Sequence, residues 1–139
     1  MSVEKNIEIV KRFTEEVINQ HKFELIDDFW ATNLKWHGGF MREINGIEDY
    51  RKVLTSAVNG AFVNMKLEII YAIGQEDKVA MFFTNSGHNS GTFLGNAPSH
   101  KDAKWNGMSF YRIENGKIAE AWFSEDLLDM FVQLGFFKL

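Results

Sequence analysis

Residues 105–123 read WNGMSFYRIENGKIAEAWF, two runs of mainly aromatic and aliphatic side chains that flank Glu114-Asn115-Gly116. An Asn-Gly pair supplies the positive backbone angles that a tight β-hairpin requires. The stretch therefore predicts two antiparallel strands, 105–113 and 117–123, joined by a short turn. Because residues two apart in a strand point to the same face, this hairpin also determines which side chains share a surface.

Further strands are predicted upstream of this hairpin. Residues 65–73 and 78–85 are rich in aliphatic and aromatic side chains and are separated by Gly74-Gln75-Glu76-Asp77, which predicts a second hairpin. Residues 87–104 are rich in Gly, Ser and Asn, so they indicate strand ends around a loop. A brief strand is predicted at residues 34–37.

Helices account for the rest of the pattern. Residues 3–20 repeat apolar side chains every three or four positions, which predicts an amphipathic helix. Shorter helices are predicted at 23–30, 47–58 and 125–134, with Gly135 as the cap of the last one. Helices followed by a run of long strands indicate an α+β domain. A strongly twisted sheet can curl around helices on one face and leave an apolar hollow, where a small molecule would bind.

Length, composition and charge limit the class of protein. At 139 residues the chain is expected to form one domain, residues 1–139. It has no cysteine, which excludes disulfides, thiolate metal sites and cysteine nucleophiles. With 15 basic against 19 acidic residues and no basic cluster, the composition argues against nucleic-acid binding. No apolar run could span a bilayer and no signal region is visible, so a cytoplasmic protein without membrane association is expected.

The first candidate catalytic group is a row of side chains in the last strand. If the strand extends to residue 124, then Glu120, Trp122 and Asp126 face one way. A dry hollow beside an indole raises the pKa of a carboxyl group, which suits it to general acid or base catalysis. The alternative is that Asp126 caps the final helix, as an ordinary helix-start residue, and that Glu120 faces solvent.

Two histidines near glycine-rich bends are further candidates. His88 lies within Ser86-Gly87-His88-Asn89-Ser90-Gly91, and an imidazole can donate or accept a proton near neutral pH. His37 precedes Gly38-Gly39, where the missing side chains would let a ligand or the backbone approach closely. The alternatives are a structural or surface role for His88, and packing of His37 against Trp36 at the sheet edge.

The lining of the hollow is expected to be rich in aromatic and methionine side chains. Such a lining suits a flat, apolar, oxygen-bearing ligand, although plain core packing is the alternative. The residues expected to contribute to ligand binding are Trp36, Tyr50, Met81, Met108, Phe110, Glu120 and Trp122. The candidate side chains His37, His88 and Asp126 lack the short spacing of a metal site, so no metal is expected.

Several segments, taken together, resemble a known family. They are Val10–Val17 with Asn19-Gln20, Trp36-His37-Gly38, Asn45–Tyr50, Gly87–Gly95, Tyr111–Trp122 and Gln133-Leu134-Gly135. In this order and spacing the sequence resembles, over nearly its whole length, the SnoaL-like polyketide cyclase family of the nuclear-transport-factor-two-like superfamily. The resemblance implies a cone-shaped α+β fold, in which a curved antiparallel sheet wraps around N-terminal helices and encloses a pocket. It also implies a homodimer formed through the outer surface of the sheet.

The same resemblance implies a chemistry. Cyclases of this family close polyketide esters by an intramolecular aldol reaction, without a cofactor and with an aspartate as general acid/base. Asp126 occupies the matching position, four residues after Trp122, and His88 and His37 fall where relatives often have histidine. We therefore expect a cofactor-independent cyclase or isomerase that acts on a small hydrophobic carbonyl compound, with a histidine holding the enolate oxygen. The alternative is a non-catalytic protein of the same fold that binds a small hydrophobic ligand.

Overall fold

The computed structural model describes residues 2–38, 42–56 and 60–139 of the chain. Its elements, in order, are α1 (Val3–Phe13), a π-helix (Thr14–Asn19), a 3₁₀ turn (Phe23–Leu25), α2 (Ile26–Phe29), β1 (Trp30–Gly38), β2 (Arg42–Asn45), α3 (Ile47–Ser56), β3 (Phe62–Gln75), β4 (Lys78–Asn89), β5 (Asp102–Glu114), β6 (Lys117–Glu125) and α4 (Leu127–Leu134). The predicted α+β class is confirmed. The predicted third helix extends to residue 58, which lies outside the described residues. Within the described ranges, no helix is long and apolar enough to cross a membrane.

The first helix begins at a side-chain cap and buries one stripe. The Ser2 hydroxyl accepts a hydrogen bond from the Lys5 backbone N–H at 3.2 Å, which satisfies a donor that the first helical turn leaves free. The apolar stripe of α1, with Val10 and Phe13, is buried in the core. The helix predicted over residues 3–20 is confirmed, and its last part is wound as the π-helix.

In the described part of the chain, six strands form one curved, open sheet in the order β2-β1-β6-β5-β4-β3. Neighbouring strands pair antiparallel, apart from β1 and β6, which run parallel with Trp36 opposite Ala121. The predicted sheet is antiparallel throughout, and the structure differs at this pair. The reason is that β1 and β6 are joined by all the intervening chain rather than by a tight turn, so nothing forces them to run in opposite directions.

Both predicted hairpins are present. Asn115 and Gly116 have φ angles of 51° and 74°, the left-handed conformation that the tight turn between β5 and β6 requires. A two-residue turn at Glu76 and Asp77 joins β3 to β4. Both hairpins extend beyond their predicted ends, because strand pairing continues past the apolar runs that the sequence pattern marks.

The inner face of the sheet carries the core. Every second residue of β5, from Ala103 to Ile113, is buried on this face. Helices α1, α2 and α3 cover one part of it around Trp30, and α4 covers another part around Trp105. The two apolar clusters meet different stretches of β5, so the inward residues Gly107 and Ser109 lie between them.

The opposite, outer face carries large apolar side chains in two rows that cross the strands. One row pairs Ile73 with Ala80, Ala80 with Phe110, and Phe110 with Trp122. The other pairs Tyr71 with Phe82 and Phe82 with Met108. We call the large side chains of these rows the outer apolar band, which consists of Tyr71, Ile73, Phe82, Met108, Phe110 and Trp122.

Candidate functional site

A carboxylate at the end of β6 faces the inner side of the sheet. Glu125 is opposite the inward residue Gly107, and its exposure is intermediate. Its Oε1 atom accepts a hydrogen bond from the Trp105 indole N–H at 2.9 Å and lies 3.5 Å from the Asn85 side-chain nitrogen. A carboxylate oxygen held by an indole N–H on a largely apolar face has a fixed position, as a general acid or base requires.

Gly107 makes this position possible. A Cβ atom at residue 107 would lie 2.4 Å from the Phe83 ring and 2.9 Å from Cγ of Glu125. Both separations are shorter than real side-chain contacts, so any other residue would displace the ring or the glutamate. The absence of a side chain at residue 107 therefore lets Glu125 reach across β5.

Two buried tyrosines lie on the inner side of the sheet, and one of them, Tyr111, is close enough to Glu125 to feel its charge. Burial raises the pKa of the Tyr50 hydroxyl well above its usual value, and the neighbouring Tyr111 hydroxyl adds to this effect. Burial also raises the pKa of Tyr111; the Ser109 hydroxyl opposes the shift, and the Glu125 carboxylate reinforces it. Both phenols therefore stay protonated at neutral pH and can donate hydrogen bonds to a ligand oxygen. The inner face thus combines a carboxylate with neutral hydroxyl donors.

Asp126 does not share this environment. It is exposed and directly precedes α4, where its Oδ1 atom accepts a hydrogen bond from the Asp129 backbone N–H at 3.0 Å. The expectation that its carboxyl group is enclosed beside Trp122 is wrong, and the alternative, a helix cap, is confirmed. The physical reason is that β6 ends at Glu125, so the alternation of a strand does not extend to the next residue. Asp126 shares with Glu125 only a shallow cavity of about 290 Å³, which Phe82 and Met108 of the outer apolar band also line.

Glu120 and His37 meet on the outer face. The Glu120 carboxylate lies 2.7 Å from Nε2 of His37, and the His37 ring stacks on Trp122 with ring centres 5.3 Å apart. The hydrogen bond with His37 lowers the pKa of Glu120; burial opposes this shift, and Arg112 adds to the lowering. The expectation that Glu120 and Trp122 face the hollow is wrong, because the inward residue between them is Ala121.

His88 also lies on the outer face. Its Nδ1 atom is 2.8 Å from Oδ1 of Asp102, and the two residues are partners across β4 and β5. The imidazole borders a depression of about 490 Å³ and is partly exposed. This position agrees with the alternative of a surface histidine, and it keeps His88 apart from the inward Glu125.

The predicted lining residues divide between the two faces. Trp36, Tyr50 and Met81 are buried in the core on the inner side, and their part in ligand binding stays a prediction. Met108 and Phe110 belong to the outer apolar band with 62% and 41% of their surface exposed, so the expectation that they line the hollow is wrong. These two large apolar side chains alternate with the small inward residues Gly107 and Ser109, so hydrophobicity alone indicates the wrong face at this point of the strand.

The inner-face groups that sequence reasoning missed lie in the same two strands. Glu125, Ser109 and Tyr111 occupy the positions that alternate with the predicted ones. The available signal was the run Gly107-x-Ser109-x-Tyr111, in which a strand position without a side chain indicates close approach by another group. At residues 107–110 the smaller pair, Gly107 and Ser109, faces the interior, and the larger pair, Met108 and Phe110, faces outward.

Within the described ranges, no three histidine, aspartate or glutamate side chains converge on a point where they could hold a metal ion. The side chains around Glu125 offer one carboxylate and several neutral donors. The expectation that the protein uses neither a metal nor a cofactor stays a prediction.

A curved, open sheet that wraps around helices is the cone fold of nuclear-transport-factor-two-like proteins. Within this class, the chain belongs to the family described as SnoaL-like polyketide cyclase, whose model matches residues 8–134. The resemblance drawn from the sequence is confirmed. Members of the family bind small ligands, and the family is described as polyketide cyclase.

Solved structures with the same fold carry several activities in their names. AclR, a candidate hydroxylase from Streptomyces galilaeus, is 21% identical with a TM-score of 0.84, and the match covers 99% of this chain and 100% of that one. A candidate polyketide cyclase from Acidithiobacillus ferrooxidans is 23% identical with a TM-score of 0.81, over 97% and 98% of the two chains. An LEH-like epoxide hydrolase from M. tuberculosis is 15% identical with a TM-score of 0.76, over 95% and 90%. At these identities the likeness shows the fold alone. The sequence has no match among the curated proteins.

Proposed function

We propose that this protein is a cofactor-independent enzyme in which the Glu125 carboxylate acts as general acid and base on a small, apolar carbonyl compound. The observation that carries the proposal is the inward position of this carboxylate, held at 2.9 Å by the Trp105 indole N–H. Membership of the family supports an enzyme of the cyclase or isomerase type.

The proposed reaction begins with proton abstraction. Glu125 takes a proton from the carbon next to the ligand carbonyl, and the released electron pair moves onto the carbonyl oxygen as an enolate. The protonated hydroxyls of Tyr111 and Tyr50 donate hydrogen bonds to this oxygen. In an isomerase the proton returns at another carbon of the ligand. In a cyclase the enolate carbon attacks a second carbonyl of the same molecule, and Glu125 returns the proton to the new alkoxide.

Proton exchange into a simple ketone tests this proposal without knowledge of the natural substrate. 2-Tetralone is flat and apolar and has acidic hydrogens beside its carbonyl, so its exchange in D₂O can be followed by NMR. A positioned base contributes roughly 10²–10⁴-fold, and we expect Glu125→Gln to slow exchange by about that factor. Asp126→Asn is the matched control, because asparagine caps a helix as well as aspartate does. We expect it to exchange at close to the wild-type rate.

Two other outcomes would contradict the proposal. Loss of exchange in Asp126→Asn but not in Glu125→Gln would assign the base to the residue expected from the sequence. Binding of 2-tetralone by the wild-type protein without any exchange would favour the alternative, a non-catalytic ligand-binding protein. The catalytic roles of Asp126, His88 and His37 and the cytoplasmic location stay predictions.

We also propose that the protein is a homodimer in which the outer apolar bands of two copies pack face to face. In a single chain, Tyr71 and Ile73 each leave 69% of their surface exposed, and Met108 leaves 62%. A contiguous apolar patch of this kind is typical of an interaction surface. A second copy presents the same band, so packing of the two bands against each other would remove both bands from water.

A further inference from the structure

The Glu125 carboxylate has a second neighbour on the inner face, the side chain of Asn85. Asn85 lies directly opposite Trp105 in the register of β4 and β5, so the two side chains share this face. The Asn85 nitrogen Nδ2 lies 3.5 Å from Oε1 of Glu125, the same oxygen that accepts a hydrogen bond from the Trp105 indole N–H at 2.9 Å. Three neighbouring strands, β4, β5 and β6, thus each contribute one side chain to this contact.

The backbone sets the orientation of the Asn85 amide. Its Oδ1 atom accepts a hydrogen bond from the Ser86 backbone N–H at 3.0 Å. Only the oxygen of a side-chain amide can accept this bond, so the NH₂ group is the end that lies toward Glu125. Asn85 therefore presents a donor, and not an acceptor, to the carboxylate.

Both donors contact the same oxygen of the carboxylate. In the part of the chain that the structure describes, Trp105 and Asn85 contact Oε1, whereas no donor contacts Oε2. Glu125 is the last residue of β6, and a glutamate side chain has rotamer freedom that only such contacts remove. The two donors therefore hold one oxygen in place and leave the other oxygen available to accept a proton.

We propose that Asn85 is a positioning residue for the general base: together with Trp105 it fixes Oε1 of Glu125, so that Oε2 is the oxygen that takes and returns the proton of the ligand. This inference rests on the proposed function and adds to it the reacting atom. Asn85 acts through Glu125 and not on the ligand. Because its amide is uncharged, it restrains the carboxylate without the strong stabilisation of negative charge that the basic neighbours of Glu120 provide.

Hydrogen exchange of 2-tetralone, measured over a range of pH, tests this role. Asn85→Asp keeps the side-chain shape and can still accept from the Ser86 N–H, but it replaces the donor beside Glu125 with a negative charge. A like charge at this distance opposes loss of the proton, so we expect the rise of the exchange rate with pH to move up by roughly one pH unit. The control is Asn106→Asp, the same change on the outer face, at an amide whose oxygen accepts a hydrogen bond from Thr84. We expect it to keep the wild-type profile.

Asn85→Leu separates positioning from ligand binding. Leucine is of similar size but has no donor, so Glu125 loses one of the two contacts that hold Oε1. We expect the maximal rate of exchange to fall by about tenfold, the effect of one hydrogen bond, and the ketone concentration at half-maximal rate to stay the same. A higher half-maximal concentration with an unchanged maximal rate would contradict the inference, because it would place Asn85 against the ligand.

The indole N–H of Trp105 gives a readout that needs no turnover. The chain has four tryptophans, and the indole signal of Trp105 in a proton NMR spectrum is the one that Trp105→Phe removes. Since this N–H donates to Glu125, its chemical shift changes when the carboxylate gains a proton. We expect Asn85→Asp to move the pH of this change in step with the pH of exchange, and Asn106→Asp to leave it in place.

Each result has a defined meaning. The inference would be overturned if Asn85→Asp moved neither the exchange profile nor the indole signal, or if Asn106→Asp moved both as far. Exchange that depends on Glu125 but not on Asn85 would remove the inference and keep the proposed function. An indole signal that responds to Asn85→Asp, without any exchange in the wild-type protein, would keep the contact between the two side chains and remove its catalytic role together with the proposed function.

Discussion

Glu120 illustrates how the position of a single side chain determines its chemistry. Its carboxylate contacts His37 at 2.7 Å and Arg112 at 3.4 Å, and only 19% of the side chain is exposed. These contacts stabilise the charged form and lower the pKa of Glu120, so the group is suited to a structural ion pair rather than to proton transfer near neutral pH. Glu125, one inward position beyond Phe123, has no positively charged group among its hydrogen-bond partners in the described residues.

The lowered pKa of Glu120 predicts a pH-dependent contribution to stability. Because its pKa in the folded state lies below the ordinary value of 4.5, the contribution is present above about pH 4.5 and is lost as the pH falls through the lowered value. We expect Glu120→Gln to lower the free energy of unfolding by about 1 kcal/mol at pH 7 and by much less at the acid end, measured by urea denaturation. The control is Glu114→Gln, which alters an exposed carboxylate on the same Arg112. If Glu120→Gln lowered the free energy of unfolding by the same amount at every pH, this account would be contradicted.

At the scale of elements, the π-helix that follows α1 protects an open edge of the sheet. Strand β3 is an edge strand, and its unpaired backbone groups could pair with another chain. Asn19, at the end of the π-helix, donates to the Leu67 carbonyl at 2.9 Å and accepts from the Leu67 N–H at 2.8 Å. One amide side chain thus takes the place of a missing neighbouring strand. The π-helix ends at this residue.

Removal of that amide should destabilise the fold. We expect Asn19→Ala to lower the free energy of unfolding by about 1–3 kcal/mol, because two backbone groups of a buried residue lose their partner. The neighbouring, exposed Gln20→Ala provides the control and is expected to have little effect, since its amide contacts only the Glu15 side chain. Equal unfolding midpoints for Asn19→Ala and wild type would show that water replaces the amide without cost.

Sequence patterns predicted the elements better than the faces they present. The Asn115-Gly116 turn and the Gly135 cap depend on local backbone conformation, and both appear with positive φ. At residues 107–110 of β5 the outward Met108 and Phe110 are more apolar than the inward Gly107 and Ser109, so the hydrophobic pattern indicates the wrong face there. A register shift between Arg112 and Ile113 further disturbs the alternation, and Ile118 and Ala119 are both buried.

The same ambiguity explains why the candidate site was displaced by one residue. The prediction followed the larger side chains, Glu120 and Trp122, whereas burial follows the smaller Ala121 and its inward neighbours. Large apolar residues on the outer face are expected only where another protein surface covers them. The sequence of one chain does not show whether such a surface exists. The fold could therefore be predicted from the sequence, but the inward carboxylate was missed, because the prediction followed the large side chains rather than the missing side chain at Gly107.

At the scale of the whole molecule, the outer apolar band predicts the oligomeric state. We expect the wild-type protein to be a dimer at micromolar concentration and Phe110→Arg to be a monomer, because a charge at the centre of the band would be buried without a partner. Light scattering after size-exclusion chromatography measures the mass. Leu128→Arg is the control, since Leu128 is an exposed apolar residue of α4 outside the band. Dissociation by Leu128→Arg rather than Phe110→Arg would move the interface to the helical end.

Strand β5 presents Trp105 and Tyr111 to the interior and Met108 and Phe110 to the exterior. The side chains proposed for catalysis and those proposed for the dimer interface thus alternate along one strand. Natural selection can therefore diversify ligand preference through one set of codons while its neighbours conserve the quaternary structure. A laboratory library confined to the inward set would have the same freedom, and new specificities would arise on an unchanged assembly.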